Sequence, residues 1–260
     1  MKILIITGGS SGIGRVTAEL FAKKDYKVYE LSRHGESNEN IIHIDCDVTK
    51  KEDCNAAVNR VIDECGRIDI FINNAGMGIS GAIEFTDINE AKRQFDVNFF
   101  GSVNIVQSVI SYMRQVKAGR IIFVSSLAAI FPIPYQGFYS ASKMAINGLA
   151  CALRNELREF NIDVCCLLPG DVKTGFTDAR AKSHVGMEVY TKMNKAVKTM
   201  EYDEQHGLSA EHMASKLLKI ANSKRTWMYN TVGFNYHIMV FLNKLLPKTL
   251  VIRILGMIYG

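Results

Sequence analysis

Several features that mark particular classes of protein are scarce or missing in this 260-residue chain. There are only four prolines and one tryptophan, and the six cysteines form no C-x-x-C pair and no zinc-ligand spacing. No run of about 18 apolar residues occurs, and Lys2 is followed by only four apolar residues before Thr7. We therefore expect no metal site, no spanning helix and no secretory leader. The sequence predicts a cytoplasmic protein with reduced thiols.

Acidic residues are missing from the last part of the chain. No Asp or Glu follows Glu211, whereas seven Lys and Arg residues do, so residues 1–211 hold 24 basic and 26 acidic residues. The net charge of +5 is therefore a property of the C-terminal segment. Because the chain has no basic run of the kind that binds nucleic acid, we expect no nucleic-acid partner.

Short apolar runs alternate with longer amphipathic stretches along the chain. The runs predict buried strands at 2–6, 27–31, 41–44, 68–72, 120–124 and 163–168, with a seventh strand at 225–230. Helical patterns lie at 12–24, 51–65, 88–116, 138–160 and 209–222. This alternation is typical of a parallel sheet with helices on both faces. The sequence predicts one α/β domain over residues 1–260, a Rossmann-type doubly wound parallel sheet of about seven strands.

A glycine-rich turn follows the first predicted strand and opens the first helix, with the sequence Thr7-Gly8-Gly9-Ser10-Ser11-Gly12-Ile13-Gly14. Glycine lets a backbone approach a pyrophosphate, and the unpaired N–H groups of a helix N-terminus attract an anion. Gly8 suits the turn, Gly12 the phosphate approach and Gly14 close helix–strand packing. We predict cofactor contacts from Gly8, Ser10, Ser11, Gly12, Ile13 and Gly14. The spacing differs from G-x-G-x-x-G, so an ordinary strand-to-helix turn is the alternative.

The residues after the second strand select between the two nicotinamide dinucleotides. An acidic residue there would accept a hydrogen bond from the ribose 2′-hydroxyl of NAD(H), but this chain has Ser32-Arg33. A guanidinium can bind a 2′-phosphate in a bidentate manner, so NADP(H) is favoured, although Arg33 could also be a solvated surface charge. Asp47-Val48 ends the third strand, where the carboxylate could accept from an adenine amino group.

A tyrosine and a lysine lie four residues apart in Tyr139-Ser140-Ala141-Ser142-Lys143, at the start of the longest regular helix. Residues at this spacing share a helix face. At about 5 Å and an effective dielectric constant of about 20, the ammonium lowers the pKa of the phenol by about 2. Such a tyrosine could act as a general acid or base near neutral pH. The chain has ten Tyr and 19 Lys, however, so such a pair is also expected by chance.

Four motifs occur in register with the predicted strands. They are the glycine turn, Asn73-Asn74-Ala75-Gly76 after strand four, the Tyr139/Lys143 pair, and Pro169-Gly170 after strand six. In this combination the chain resembles the short-chain dehydrogenase/reductase family over nearly its full length. The resemblance implies an NADP-dependent enzyme that acts on CH–OH groups, with hydride transfer at nicotinamide C4 and Tyr139 as proton donor or acceptor.

The resemblance also implies roles for individual residues. Ser126 matches the serine that hydrogen-bonds the substrate oxygen, with its neighbour Ser125 as the competing candidate. Lys143 matches the residue that holds the nicotinamide ribose and lowers the pKa of Tyr139, and Asn98 matches the residue that anchors a water in a proton relay, although it could also be a helix-surface Asn. Further cofactor contacts are implied for Tyr139, Lys143, Asn74, Ala75, Gly76, Pro169, Gly170, Val172 and Thr174.

The predicted substrate cleft is apolar. Met77–Ile79 and Ile130–Tyr135 lie in loops after strands, and segment 175–208 is predicted to be a substrate lid. Its apolar stripe, which could also be plain core packing, consists of Met187, Tyr190, Met193, Val197 and Met200. We expect a small lipophilic substrate of steroid, retinoid, sphingoid or acyl type, and the resemblance is closest to hydroxysteroid-dehydrogenase-like members. The alternatives are a 3-oxoacyl-carrier-protein reductase, which usually ends sooner, and a catalytically silent nucleotide-binding regulator or scaffold.

Residues 234–260 form an apolar extension with three basic residues and no acid. Pro247 interrupts the segment, so we do not expect it to span a bilayer. It could lie on an anionic membrane surface as a peripheral contact, cover the substrate mouth, pack on a partner subunit or simply dock as a C-terminal helix. The resemblance implies a homodimer paired through the fourth and fifth helices, and the long tail could block a tetramer.

Overall fold

A computed structural model describes residues 1–259, and its central feature is a seven-stranded parallel sheet. The strands of the described chain are β1 Lys2–Thr7, β2 Tyr26–Ser32, β3 Ile41–Asp45, β4 Ile70–Asn73, β5 Ile79–Ser80, β6 Gly119–Val124, β7 Ile162–Leu168, β8 Val172–Lys173, β9 Ala181–Lys182, β10 Leu208–Ser209 and β11 Tyr229–Thr231. The sheet has the order β11-β7-β6-β4-β1-β2-β3, and every neighbouring pair is parallel. The strand order reverses between β1 and β4, where the loops part and a crevice forms.

Helices cover both faces of the sheet. They are α1 Gly12–Ala22, α2 Lys51–Cys65, α3 Ile88–Phe95, α4 Gly101–Val116, α5 Gly137–Glu156, α6 Phe176–Ala179, α7 Met193–Gln205, α8 Ala210–Asn222, α9 Phe234–Leu245 and α10 Lys248–Tyr259. Side chains of α2, α4 and α5 share one apolar core with the sheet, and those of α1 and α8 share the other. The predicted doubly wound α/β fold is confirmed.

Alternation along β1 explains why the strands read as continuous apolar runs. Ile3 and Ile5 lie in the core under α2, α4 and α5, whereas Leu4 and Ile6 lie in the core under α1 and α8. Because successive side chains point to opposite faces, a strand covered on both sides must be apolar at every position. The cores therefore hold the carboxyl ends of the strands, and the loops that follow them, in fixed positions.

Three predicted elements differ from the structure. The helix expected at 88–116 is divided by a π-helical turn, Asp96–Phe100, and the helix expected at 138–160 ends at Glu156 before a 3₁₀ turn, Arg158–Phe160. The seventh strand, expected at 225–230, is the shorter β11, because pairing with β7 begins only at Tyr229.

The segments after β8 contain more structure than the sequence indicated. In the lid segment α7 begins only at Met193, so Met187 and Tyr190 precede the helix and do not share its face. The C-terminal extension forms two helices, α9 and α10, and Leu246 before Pro247 is extended (φ −84°, ψ 142°), as expected for a residue that precedes proline. Gly260, the end of the predicted extension, lies outside the described residues. Among residues 1–259 no helix is both long and apolar enough to cross a membrane.

Candidate active site

The glycine turn after β1 is tight, and its glycines are needed for different reasons. Gly8 and Gly12 have φ values of +64° and +53°, in the left-handed region that favours glycine. A Cβ on Gly14 would lie 2.2 Å from the carbonyl oxygen of Gly8. Ser11 precedes α1 without a capping hydrogen bond from its side chain. The first turn of α1 therefore keeps N–H groups that a phosphate can bind, and a dinucleotide fits this turn.

Asn74 ties the loop after β4 to the glycine turn. Its Nδ2 donates to the carbonyl oxygens of Thr7 and Gly8, both at 3.0 Å. In return, the hydroxyl of Thr7 accepts from the backbone N–H groups of Asn74 (3.0 Å) and Ala75 (3.1 Å). These bonds fix the two loops on either side of the crevice. Thr7 was not among the predicted site residues, because its role depends on β4 lying beside β1.

The residues expected to select the dinucleotide lie together at the far edge of the same crevice. Ser32 ends β2 and donates to the carbonyl oxygen of His34 at 2.9 Å, and Arg33 is exposed. The carboxylate of Asp47 accepts from the N–H and hydroxyl of Thr49. Burial opposes ionisation of Asp47, but these bonds and the charge of Arg33 hold the pKa of its carboxyl below the usual value. The Arg33 guanidinium thus lies near the Asp47 carboxylate, and Val48 beside it is buried.

Tyr139 lies in the first turn of α5, beside Ser126 at the end of β6. Burial raises the pKa of the Tyr139 phenol to about 12, although a hydrogen bond with Ser126 and the charge of Arg180 both lower it. That Lys143 also lowers this pKa stays a prediction. Lys143 Nζ lies 5.8 Å from the centre of the Tyr139 ring and donates instead to the carbonyl oxygen of Val124 at 3.0 Å. Desolvation of the phenol outweighs the hydrogen bond with Ser126 and the charge of Arg180.

Lys143 is itself buried at the base of the cleft. Burial lowers the pKa of its ammonium to about 8. A Cβ on Gly76 would lie 3.5 Å from Lys143 Nζ and 3.3 Å from Asn98 Oδ1, so the three residues meet at one point. An ammonium with this pKa can both hold and release a proton near neutral pH.

Asn98 is buried within the π-helical turn between α3 and α4. Its Nδ2 donates to the carbonyl oxygen of Met77 (2.9 Å) and to Ser142 Oγ (3.0 Å), and its Oδ1 accepts from the N–H of Met77 (2.8 Å). Ser142 Oγ donates onward to the carbonyl oxygen of Tyr139 at 2.8 Å. Asn98 is thus a buried residue that joins the loop after β4 to α5, not a helix-surface Asn. Ser142, which stands between them, was not predicted.

The two candidate serines have different positions. Ser126 is partly exposed, accepts from the N–H of Ala128 at 3.1 Å and lies against the Tyr139 hydroxyl. Ser125 is buried, and its hydroxyl faces the carbonyl oxygen of Lys143 at 3.3 Å. The geometry therefore favours Ser126 as the residue that contacts a substrate oxygen.

The loop after β7 closes the other side of the cleft. The carbonyl oxygen of Pro169 accepts from the N–H of Leu127 at 2.8 Å, and a Cβ on Gly170 would lie 2.3 Å from the ring of Tyr236. Val172 pairs with Leu208 in a two-stranded sheet. Thr174 faces the glycine turn, since a Cβ on Gly12 would lie 3.6 Å from Thr174 Cβ.

A buried ion pair in the lid lies within reach of Tyr139. The ring of Phe176 packs 5.8 Å from the Tyr139 ring, centre to centre, and the Arg180 guanidinium lies over the Phe176 ring, 5.8 Å from its centre. Arg180 is buried and paired with Glu204, which also accepts from Thr177 Oγ1 at 2.6 Å. Sequence reasoning missed both charges, because it considered only the apolar positions of the lid.

Comparisons with known proteins show the family of the chain. The sequence model of the family described as short chain dehydrogenase matches residues 2–184. The chain is 39% identical over 236 residues to the 3-ketodihydrosphingosine reductase of Bacteroides thetaiotaomicron, which covers 89% of this chain and 88% of that protein.

Two solved structures share the fold. A short-chain dehydrogenase from Streptomyces avermitilis superposes with a TM-score of 0.82 at 24% identity, covering 94% of each chain. ElxO with NADP bound superposes with a TM-score of 0.76 at 23% identity, covering 91% of this chain and 99% of that one. From the family match and the extent of the first similarity, this chain belongs to the short-chain dehydrogenase/reductase family of oxidoreductases, which act on CH–OH and C=O groups.

Proposed function

We propose that the chain is an NADPH-dependent reductase of a long-chain lipophilic ketone of the sphingoid type. The observation that carries the proposal is the meeting of Ser126, Tyr139 and Lys143 in one cleft beside the glycine turn. The substrate class is supported by the similarity to a 3-ketodihydrosphingosine reductase over most of both chains. It is also supported by the apolar ring of Phe176, which lies beside the ring of Tyr139.

Tyr139 acts as the proton donor. With a pKa of about 12 its phenol is protonated at neutral pH, which is the state a donor to a ketone oxygen needs. Ser126, beside the hydroxyl, donates a hydrogen bond to the same oxygen and holds it in line. The bound dinucleotide supplies the hydride.

Lys143 and Asn98 return a proton to Tyr139. The Lys143 ammonium has a pKa of about 8, so it can give up a proton to a neighbouring phenolate and regain one from solvent. Asn98 holds the loop after β4 against α5 through its bonds to Met77 and Ser142, and so keeps Gly76 next to Lys143. A water bound near Asn98 would complete the route to solvent.

NADP(H) is the cofactor. Arg33 is the exposed cation at the end of β2, on the side of the crevice where the adenosine ribose would lie, and no acid occupies that position. The similarity to ElxO, solved with NADP, is of fold and agrees with this choice. The enzyme acts on a small molecule. We expect it to form a homodimer paired through α4 and α5, which lie on the face of the sheet opposite α1 and α8.

The test is NADPH oxidation by the purified chain with a 3-ketodihydrosphingosine, a 3-oxoacyl carrier-protein thioester and a ketosteroid. We expect turnover of the first. Tyr139→Phe should lower kcat by about 100-fold or more and change the Kd of NADPH by less than about threefold, because the phenol acts on the proton step. Tyr202→Phe, which removes the hydroxyl of an exposed tyrosine, is the matched control and should behave as wild type.

Each alternative has its own outcome. Reduction of the thioester alone would favour the 3-oxoacyl-carrier-protein reductase, and a preference for the ketosteroid would favour the hydroxysteroid-type enzyme. NADPH binding with no turnover of any ketone would favour the silent regulator. Near-normal kcat in Tyr139→Phe would mean that another group delivers the proton.

A further inference from the structure

The C-terminal helices α9 and α10 are apolar on the side that faces away from the protein. On the inner side, Val251 and Leu255 lie in the main core. On the outer side, five large apolar side chains are each more than half exposed: Phe234, Phe241, Leu245, Ile252 and Met257. We call these five residues the outer face. Exposed apolar surface of this kind usually marks an interaction site.

Positive charge accompanies the outer face. Lys244 and Arg253 are exposed on the same two helices, and no acidic residue follows Glu211 anywhere in the chain. Apolar helices with basic residues at their edges bind the surface of anionic bilayers, where the apolar side chains enter the acyl boundary and the cations remain among the headgroups.

A second copy of the chain is a poorer occupant of this surface. A two-fold contact sets a patch against itself, so Lys244 and Arg253 of one copy would face those of the other. No acid in the segment after Glu211 could neutralise them. The centres of protein interfaces are also depleted in lysine. An anionic lipid surface supplies the negative charge that the tail lacks.

The inner side of the two helices is attached to the loops that form the cleft. Lys248 Nζ donates to the carbonyl oxygen of Ile130, in the loop that follows Ser126, at 3.0 Å. The hydroxyl of Tyr236 donates to Asp171 Oδ2 at 2.8 Å, next to Gly170. The tail is thus held against the cleft loops on two sides.

The lid is attached to the same helices. The hydroxyl of Tyr259 donates to Asp203 Oδ2, on α7, at 3.0 Å. A surface that holds α9 and α10 would therefore also hold the cleft loops and the lid close to it.

We propose that the outer face binds the surface of an anionic lipid bilayer and so places the mouth of the cleft next to the membrane. A ketone with a long alkyl chain, which partitions into the bilayer, then reaches the cleft without crossing water. This access role rests on the proposed function. Binding to the membrane does not, because it depends only on the outer face and on Lys244 and Arg253.

The test is sedimentation of the full chain with vesicles of phosphatidylcholine, with and without phosphatidylglycerol. We expect binding to the anionic vesicles that weakens as salt is added. The double variant Lys244→Gln/Arg253→Gln should lower the partition coefficient by about 25-fold, because each basic residue near an anionic surface contributes roughly fivefold. Phe241→Ser/Met257→Ser should also lower it. Val116→Ser, at an exposed apolar position in the last turn of α4, should bind as wild type.

Three results would overturn the proposal: no binding to anionic vesicles, equal binding to neutral vesicles, or wild-type binding by both double variants. If the wild-type chain binds no vesicles and light scattering shows that Phe241→Ser/Met257→Ser converts a dimer into a monomer, the occupant is a second copy. Turnover of a short water-soluble ketone by both double variants shows that they are folded. Vesicle binding without turnover of any ketone would support membrane binding by the outer face and refute the proposed function.

Discussion

Replacing Gly14 by alanine should damage cofactor binding and stability together. A Cβ at this position would lie 2.2 Å from the Gly8 carbonyl oxygen and 2.6 Å from Asn74 Nδ2. Those two groups are bonded to each other at 3.0 Å, so the turn can make room only by moving as a unit. Overpacking of this kind costs about 1–3 kcal/mol, and alanine recovers about 0.5–1 kcal/mol in a helix. We expect a net loss of about 1–2 kcal/mol and at least about a tenfold rise in the Kd of NADPH.

Gly148→Ala makes the same chemical change in open space. Gly148 lies in α5, is exposed, and no atom lies within 4 Å of its added Cβ. This variant should gain about 0.5–1 kcal/mol and bind NADPH as wild type. Urea unfolding followed by circular dichroism gives the stabilities, and NADPH fluorescence titration gives the Kd. Wild-type stability and wild-type Kd in Gly14→Ala would refute the reasoning, because the turn would then be free to move.

Three further substitutions test charges. Arg33→Ser should raise the Kd of NADPH by about tenfold or more, because it removes a charge-assisted contact with the 2′-phosphate, and should leave the Kd of NADH nearly unchanged. Equal changes in the two Kd values would contradict this role of Arg33. Arg180→Gln removes a charge that lowers the pKa of Tyr139, so the alkaline limb of the pH–rate profile should move to higher pH. Burial opposes protonation of His43, but Glu30 and Asp45 outweigh it and raise the pKa of the imidazole above 6.5. The pairing of His43 with Glu30 and Asp45 therefore stabilises the fold below pH 6.5, and this stabilisation is lost as the pH rises through the raised pKa. The urea midpoint of the wild type should fall over that range of pH, and that of His43→Gln should fall less.

The sheet and the glycine turn were predictable because their signals are local. Each strand from β1 to β7 in the main sheet is a short apolar run, and alternation with helices requires parallel neighbours. Gly8 and Gly14 stand at positions where only glycine fits, and the order of glycine turn, Tyr139 and Lys143 along the chain agrees with the strands that carry them. The sequence alone therefore places the motifs at the carboxyl edge of the sheet.

The remaining features depend on contacts between distant segments. The π-helical turn at Asn98 is held by the backbone of Met77, and no property of residues 96–100 alone indicates it. Arg180 and Glu204 are 24 residues apart and meet only because α6 and α7 fold together. Most residues of the tail are apolar, so the sequence could not show that Val251 and Leu255 face the core while Met257 faces outward.

The pKa of Tyr139 depends both on the spacing of Tyr139 and Lys143 in the sequence and on contacts that only the structure shows. Sequence spacing correctly placed Lys143 near the phenol, but helix geometry does not say where a flexible ammonium points. In the structure Lys143 Nζ is held by the carbonyl oxygen of Val124, and the phenol stays protonated, with a pKa of about 12. A protonated phenol beside Ser126 is an acid ready for a ketone, whereas oxidation of an alcohol would first require its deprotonation. The arrangement of Val124, Lys143 and Tyr139 therefore leaves the phenol in the protonated state that donation to a ketone oxygen needs.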